Sequence, residues 1–199
     1  MKPTYNTIFN SAKVLGLSAL LAFSSNSFST EVKSVIDSFS HVKDTSYGTP
    51  RMSLTDTTAG GKTTAKANVQ DGFIQVKGEI LPPRGQPGWS SLVLPLSPMG
   101  QTLDASKFDG IRLLVKLNKG SLSLSANSAD VTNYDYHAAQ VIVKPDGNFH
   151  EVKIPFDSMK RMWSEQTALN TQTLNSLSIV AFGLQKSSYD FEVDEVSFY

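Results

Sequence analysis

Residues 110–117 read GIRLLVKL, residues 118–120 read NKG and residues 121–126 read SLSLSA. In the first run Ile111, Leu113, Val115 and Leu117 alternate with Arg112, Leu114 and Lys116. A period of two places one set on each face of a strand. In the last run Leu122 and Leu124 alternate with serines in the same way. Asn118, Lys119 and Gly120 make a tight turn between them, so the two runs are expected to form a β-hairpin with one apolar and one polar face.

The same period recurs outward in both directions. Residues 73–80, 89–96, 136–144, 149–156, 177–185 and 189–198 are further strand-like runs, bounded by turn chemistry such as Pro145-Asp146-Gly147-Asn148. In the last run Phe191 and Val193 have odd numbers but Val196 and Phe198 even ones, so a regular strand would send the two pairs to opposite faces. A β-bulge near Asp194-Glu195 reconciles them. The helical hint at residues 156–163 reads as a single turn, and stretches 55–64 and 82–88, rich in turn formers, read as loops. About eight or nine strands without βαβ alternation predict an all-β antiparallel β-sandwich of the jelly-roll type.

Length and composition agree. The chain has 199 residues, and residues 30–199 suffice for one β-sandwich domain with a substantial core. Lys plus Arg equals Asp plus Glu at 18 each, which gives no global field for nucleic acid or an anionic membrane. Without Lys2 and Lys13 the balance is 16 to 18, about −2. Cysteine is absent, which excludes disulfides, thiolate metal sites and a Cys nucleophile.

Residues 1–29 have the parts of a secretory signal peptide: Lys2 and Lys13, no acid, the apolar run VLGLSALLAF at 14–23, then SSNSFS. Ten apolar residues are too few to span a bilayer core of about 30 Å as a helix. Ser27 and Ser29 supply the small side chains that signal peptidase accepts, so cleavage is expected after Ser29. The mature protein is expected to be exported, periplasmic or extracellular, with no membrane span.

Signatures of catalysis are missing. His41, His137 and His150 show no metal-ligand spacing, and there is no GxSxG, P-loop or dinucleotide fingerprint. Glycosidase chemistry needs two carboxyl groups across a cleft. Asp109, Asp135, Glu151 and Glu165 are instead read as solvated strand-edge and turn residues, so no catalytic residue is assigned and the chain is expected not to be an enzyme.

The polar face opposite the core carries Arg112, Lys116, Ser121, Ser123, Ser125, Tyr136 and Gln140. Rings stack on the apolar faces of pyranoses, and Arg, Gln and carboxylates bond vicinal sugar hydroxyls. Arg112, Tyr134, Tyr136 and Gln140 are therefore the candidate ligand contacts, with a plain wetted sheet face as the alternative. Trp89 and Trp163 fit a platform or the core, and the core is the commoner place for Trp in a sandwich. Asp37, Asp194 and Glu195 would meet if the terminal strands pair, and the first two above all could then hold a structural calcium ion. Charges at bulges and edges also prevent sheet-to-sheet aggregation, the preferred account of these acids, so no cofactor is required.

The order of segments resembles two groups that share a galactose-binding-domain-like jelly roll: family 11 carbohydrate-binding modules and the complex I intermediate-associated protein 30 family. The resemblance rests on Ile36-Asp37-Ser38-Phe39, Thr55-Asp56-Thr57-Thr58-Ala59-Gly60-Gly61, Leu103-Asp104-Ala105-Ser106-Lys107-Phe108-Asp109-Gly110-Ile111, Val152-Lys153-Ile154-Pro155-Phe156 and the closing run from Phe191 to Tyr199. The first group implies glucan binding through tyrosines and polar groups on a concave sheet, with Tyr136 and Arg112 as concave-face positions. The second implies an assembly factor for a respiratory complex. The leader favours an exported carbohydrate-binding protein; an interaction or assembly factor in the cell envelope, with a protein partner, is the alternative.

Overall fold

The computed structural model describes residues 32–199, so the signal peptide expected at 1–29 lies outside the described residues. Eleven strands follow in chain order: β1 (Val35–Asp37), β2 (Met52–Thr55), β3 (Lys66–Gln70), β4 (Phe73–Ile80), β5 (Gly88–Pro95), β6 (Gly110–Lys119), β7 (Leu122–Ser128), β8 (His137–Val141), β9 (His150–Pro155), β10 (Leu174–Gly183) and β11 (Ser187–Phe198). They pair antiparallel in two sheets, ordered β3-β4-β11-β6-β9 with β1 added along β11, and β2-β5-β10-β7-β8. This is a β-sandwich of the jelly-roll type. The predicted turn after residue 155 is a 3-10 turn at Phe156–Ser158. Among the described residues no helix is long and apolar enough to cross a membrane.

The hairpin expected at 110–126 is not formed. β6 lies between β11 and β9, whereas β7 lies between β10 and β8, so the chain crosses from one sheet to the other at Gly120. A hairpin and a crossing between layers impose the same alternation on the sequence, because Leu117 and Leu122 point into the core either way. Gly120 has φ +91, and a Cβ there would sit 3.0 Å from the Cβ of Tyr189, so the crossing needs a residue without a side chain.

The core is a single apolar cluster fed by both inner faces, with Ile111, Leu113 and Val115 from one sheet and Leu92, Leu124 and Ile179 from the other. β11 shows the expected bulge. Val193 pairs with Val115 and Glu195 with Leu114, so Asp194 is the extra residue and both Val193 and Val196 face inward. The bulge also divides one edge of β11, which pairs with β4 up to Val193 and with β1 at Val196 and Ser197.

Two buried carboxylates hold irregular segments. Asp37 receives Nε of Arg51 at 2.5 Å and Nη2 at 2.7 Å, and also the backbone N–H of Phe39 at 2.9 Å. Asp56 accepts from Thr63 N (2.9 Å), Thr63 Oγ1 (2.6 Å) and Trp89 N (3.2 Å), which closes the Thr- and Gly-rich loop onto the start of β5. Gly61 lies against that carboxylate, where a Cβ would collide with it.

Candidate functional site

The outer face of the β2-β5-β10-β7-β8 sheet is set by what the same strands bury. Leu92 and Leu94 on β5, Leu177, Ile179 and Ala181 on β10, and Leu122, Leu124 and Ala126 on β7 fill the core, so their neighbours point outward. Register aligns these outward residues in rows. One row runs Leu54, Ser91, Val180, Ser123, Gln140; the next runs Met52, Val93, Ser178, Ser125, Ala138. A third joins Pro95, Ser176 and Asn127, and at the opposite end Trp89 stands beside Phe182, both half-buried. None of these side chains is charged. Asn127 donates through Nδ2 to Ser176 Oγ at 3.0 Å and Ser178 Oγ at 2.8 Å, and its buried Oδ1 has no partner among the described residues.

Aromatic side chains rim the third row. Tyr136, one residue before β8, is half-buried; Tyr134 beside it is 78% exposed, the rings edge to face with centroids 6.4 Å apart. Burial, with Tyr134 adjacent, pushes the phenol of Tyr136 above its usual range, so it stays a neutral hydrogen-bonding group at physiological pH. Tyr134 has φ +63, the left-handed region. The carboxylate of Asp135 turns inward and accepts three successive backbone N–H groups, from Met162 (2.8 Å), Trp163 (3.0 Å) and Ser164 (2.6 Å). Desolvation raises this carboxyl, but bonds from the Ser164 side chain and the three N–H groups outweigh it and hold it below the usual carboxylate range.

The clamp is reinforced around its edge. Arg161 donates to the carbonyl of Asp135 (3.2 Å) and to Asn133 Oδ1 (3.0 Å), and Asn133 Nδ2 donates to Ser164 Oγ (2.9 Å). Lys160 exchanges two backbone bonds of 2.9 Å with Ala138 on β8. The loop so held carries Met162 (74% exposed) and Trp163 (67% exposed), their backbone N–H groups bonded to the residue that follows Tyr134. Large apolar side chains on a rigid loop form a prearranged contact surface rather than a floppy one.

The structure brings Tyr134, Tyr136 and Gln140 to this face and places Arg112 elsewhere. Arg112 projects from β6 on the outer face of the other sheet, where Nε donates to Glu151 Oε2 (2.5 Å) and Nη1 to Glu195 Oε1 (2.6 Å). The outer faces of a sandwich point in opposite directions, so Arg112 cannot share a ligand with the tyrosines. Lys116, expected on the same polar face, is likewise on the Arg112 side, paired with Glu192 at 2.6 Å. Asp135 is a buried clamp rather than a solvated turn residue. Both oxygens of Asp37 are engaged by Arg51, Asp194 occupies the bulge of β11, and among the described residues no group of three or more His, Asp or Glu side chains is placed to hold a metal ion. Trp163, left open between platform and core, is exposed, and Trp89 is half-buried on the outer face.

A family model described as complex I intermediate-associated protein 30 matches residues 39–194, nearly the whole sandwich. The chain belongs to that family. Solved structures show how the complex I intermediate-associated protein 30 fold is shared. A family 11 carbohydrate-binding module of a cellulosomal cellulase of Clostridium thermocellum is 19% identical at TM-score 0.58, over 82% of this chain and 92% of the module. A family 11 module from the same organism, in complex with a β-1,3-1,4-mixed-linked tetrasaccharide, is 19% identical at TM-score 0.57, over 83% and 94%. An exo-β-agarase is 8% identical at TM-score 0.51, with 84% of this chain matching 25% of that enzyme. At these identities the likeness establishes the jelly-roll fold. No curated protein matches the chain.

Proposed function

We propose that the protein binds polysaccharide, without catalysis, on the outer face of the β2-β5-β10-β7-β8 sheet. The observation that carries this reading is the pairing of an uncharged floor of Ser, Asn and Gln with a clamped rim of Tyr134, Tyr136 and Trp163. A neutral sugar chain offers vicinal hydroxyls to such a floor and C–H faces to such rings. Gln140, Ser123 and Ser125 supply donors and acceptors in adjacent rows. Glycoside hydrolysis needs two carboxyl groups flanking the bond; these rows carry none. The tetrasaccharide held by the similar family 11 module supports the ligand class. The leader read at residues 1–29 supports export to a compartment where polysaccharide is met.

A second reading has a specific observation behind it. Tyr134, Met162 and Trp163 are all exposed on the two segments that the Asp135 clamp joins, and aromatic and Met side chains are what a protein partner grips. The family's name, which refers to an intermediate of complex I, fits an assembly partner of that kind. Affinity electrophoresis and pull-down on a polysaccharide panel, with and without calcium, separate the two. Selective retention by wild type, lost in Tyr136→Ala and Trp163→Ala, is expected, and chelation leaves it unchanged because Arg51 occupies Asp37. Failure on every polysaccharide overturns the sugar reading and leaves the protein partner.

A further inference from the structure

The uncharged face ends at Trp89 and Phe182, and beyond them lies an open cleft of about 940 Å³ lined by residues 60–62, 81–86 and 184–186. Its polar lining consists of three cations, Lys62, Arg84 and Lys186, and two amides, Gln86 and Gln185, with no acidic residue. Two carboxylates lie close by. Asp56 sits beneath Gly61, buried and bonded to Thr63 and Trp89 N, and Glu79 on the rim reaches Lys186 at 3.7 Å. Lys62 and Arg84 make no ion pair or side-chain hydrogen bond among the described residues.

For an arginine that isolation is unusual within this molecule. Of its four arginines, Arg51 is held by Asp37, Arg112 by Glu151 and Glu195, and Arg161 lies 3.9 Å from Asp135; Arg84 alone faces a cleft with no carboxylate on its walls. The chain as a whole is electrically balanced, so the positive cleft is a local feature and not the edge of a basic surface. Exposed cations grouped around one cleft attract anionic oxygen, and the flanking amides can bond neighbouring hydroxyls.

We propose that this cleft is an anion subsite for an acidic polysaccharide, taking its carboxylate or sulfate groups while the chain continues past Trp89 and Phe182 onto the uncharged face. The proposal rests on the polysaccharide reading of that face and narrows its ligand class. A nucleic acid is a poorer fit, since backbone binding draws on many basic side chains spread over a surface, and here three line one cleft beside a neutral sheet.

The test compares binding of the purified protein to a polyuronate, a sulfated galactan and a neutral mixed-linked β-glucan, with double-stranded DNA as a further polyanion. The variants are Lys62→Gln/Arg84→Gln and Trp163→Ala. The expected result is at least a tenfold preference at low salt for the polyuronate or the sulfated galactan over the β-glucan. That preference shrinks at 0.5 M NaCl and disappears in the Lys62→Gln/Arg84→Gln protein, whose melting temperature is unchanged because both positions are exposed. Which acidic polymer is preferred identifies carboxylate or sulfate. Equal binding of acidic and neutral chains that the double variant does not alter overturns the subsite and leaves the face reading intact. Failure on all polysaccharides overturns both. Binding of DNA as tight as that of the acidic polysaccharides overturns the subsite in favour of a nonspecific charge effect.

Discussion

The two outer faces of this sandwich are built from the same period-two strands but use their polar residues in opposite ways. On the β3-β4-β11-β6-β9 side the charges around β6 and β11 are answered: Arg112 by Glu151 and Glu195, Lys116 by Glu192, while Asp190 accepts from the amides of Gln75 and Asn118. On the β2-β5-β10-β7-β8 side charges are replaced by hydroxyls and amides, and the bonding effort is moved off the floor into the Asp135 clamp at its rim. A ligand approaching the first face must break ion pairs before it makes contacts. On the second it meets groups already desolvated or free, and rings already in position. The centre of the charged face is therefore already satisfied, and the neutral face has bonding capacity left to offer in Gln140, Ser123 and Ser125.

The largest effect is expected where the second face is anchored. Asp135→Ala removes the acceptor of three N–H groups and should lower unfolding stability by about 3 kcal/mol, whereas Glu151→Ala on the charged face should cost far less, because that side chain is solvated. Chemical denaturation of both variants makes the comparison. Similar losses would mean that the clamp is no more than another surface pair. The pH dependence has a definite sign. The folded Asp135 carboxyl lies below its ordinary value of 3.8, so its contribution is complete above that value and is lost as pH falls through the lower folded one. Polysaccharide retention should be flat from neutral pH to about 4 and decline below it, and the decline should be missing in an Asp135→Asn protein that retains binding.

Next come the rings. Trp163→Ala and Tyr136→Ala should each weaken binding by about 1–2 kcal/mol, five- to thirtyfold in Kd by titration calorimetry, with little change in melting temperature for the exposed Trp163. Equal losses from Arg112→Ala would break the distinction between the faces.

How much of this could be read from the chain differs by feature. The inward set Leu113, Val115, Leu117, Leu122 and Leu124 was legible because alternation is local, and so was the bulge at Asp194, because the parity of Phe191 and Val193 conflicts with that of Val196 and Phe198. Sheet membership was not legible. The partners of β6 are β11, some 70 to 90 positions further along the chain, and β9, some 35 to 45 positions further, and nothing local to Gly110–Lys119 says which layer it joins. That single uncertainty put Arg112 on the wrong face. Short edge strands such as Met52–Thr55 and Lys66–Gln70 escaped because each has too few apolar residues to establish a period. Trp163 carried a usable signal, since it sits among Arg161, Ser164, Glu165 and Gln166 outside any alternating run, a setting for a loop rather than for the core.

The smallest effect is also the cleanest test of the charged face. Glu151 is exposed, and its carboxyl is held below the usual range first by the hydrogen bond from Arg112 and then by the charges of Arg112 and Lys153, which together outweigh desolvation. Arg112→Ala should return the Glu151 titration upward toward an ordinary carboxylate in side-chain NMR, while polysaccharide binding changes by less than twofold. A binding loss accompanying that titration change would mean that the two faces communicate through the core. An unchanged titration would mean that Arg112 and Glu151 are neighbours without being partners, and that the charged face is as unfinished as the neutral one.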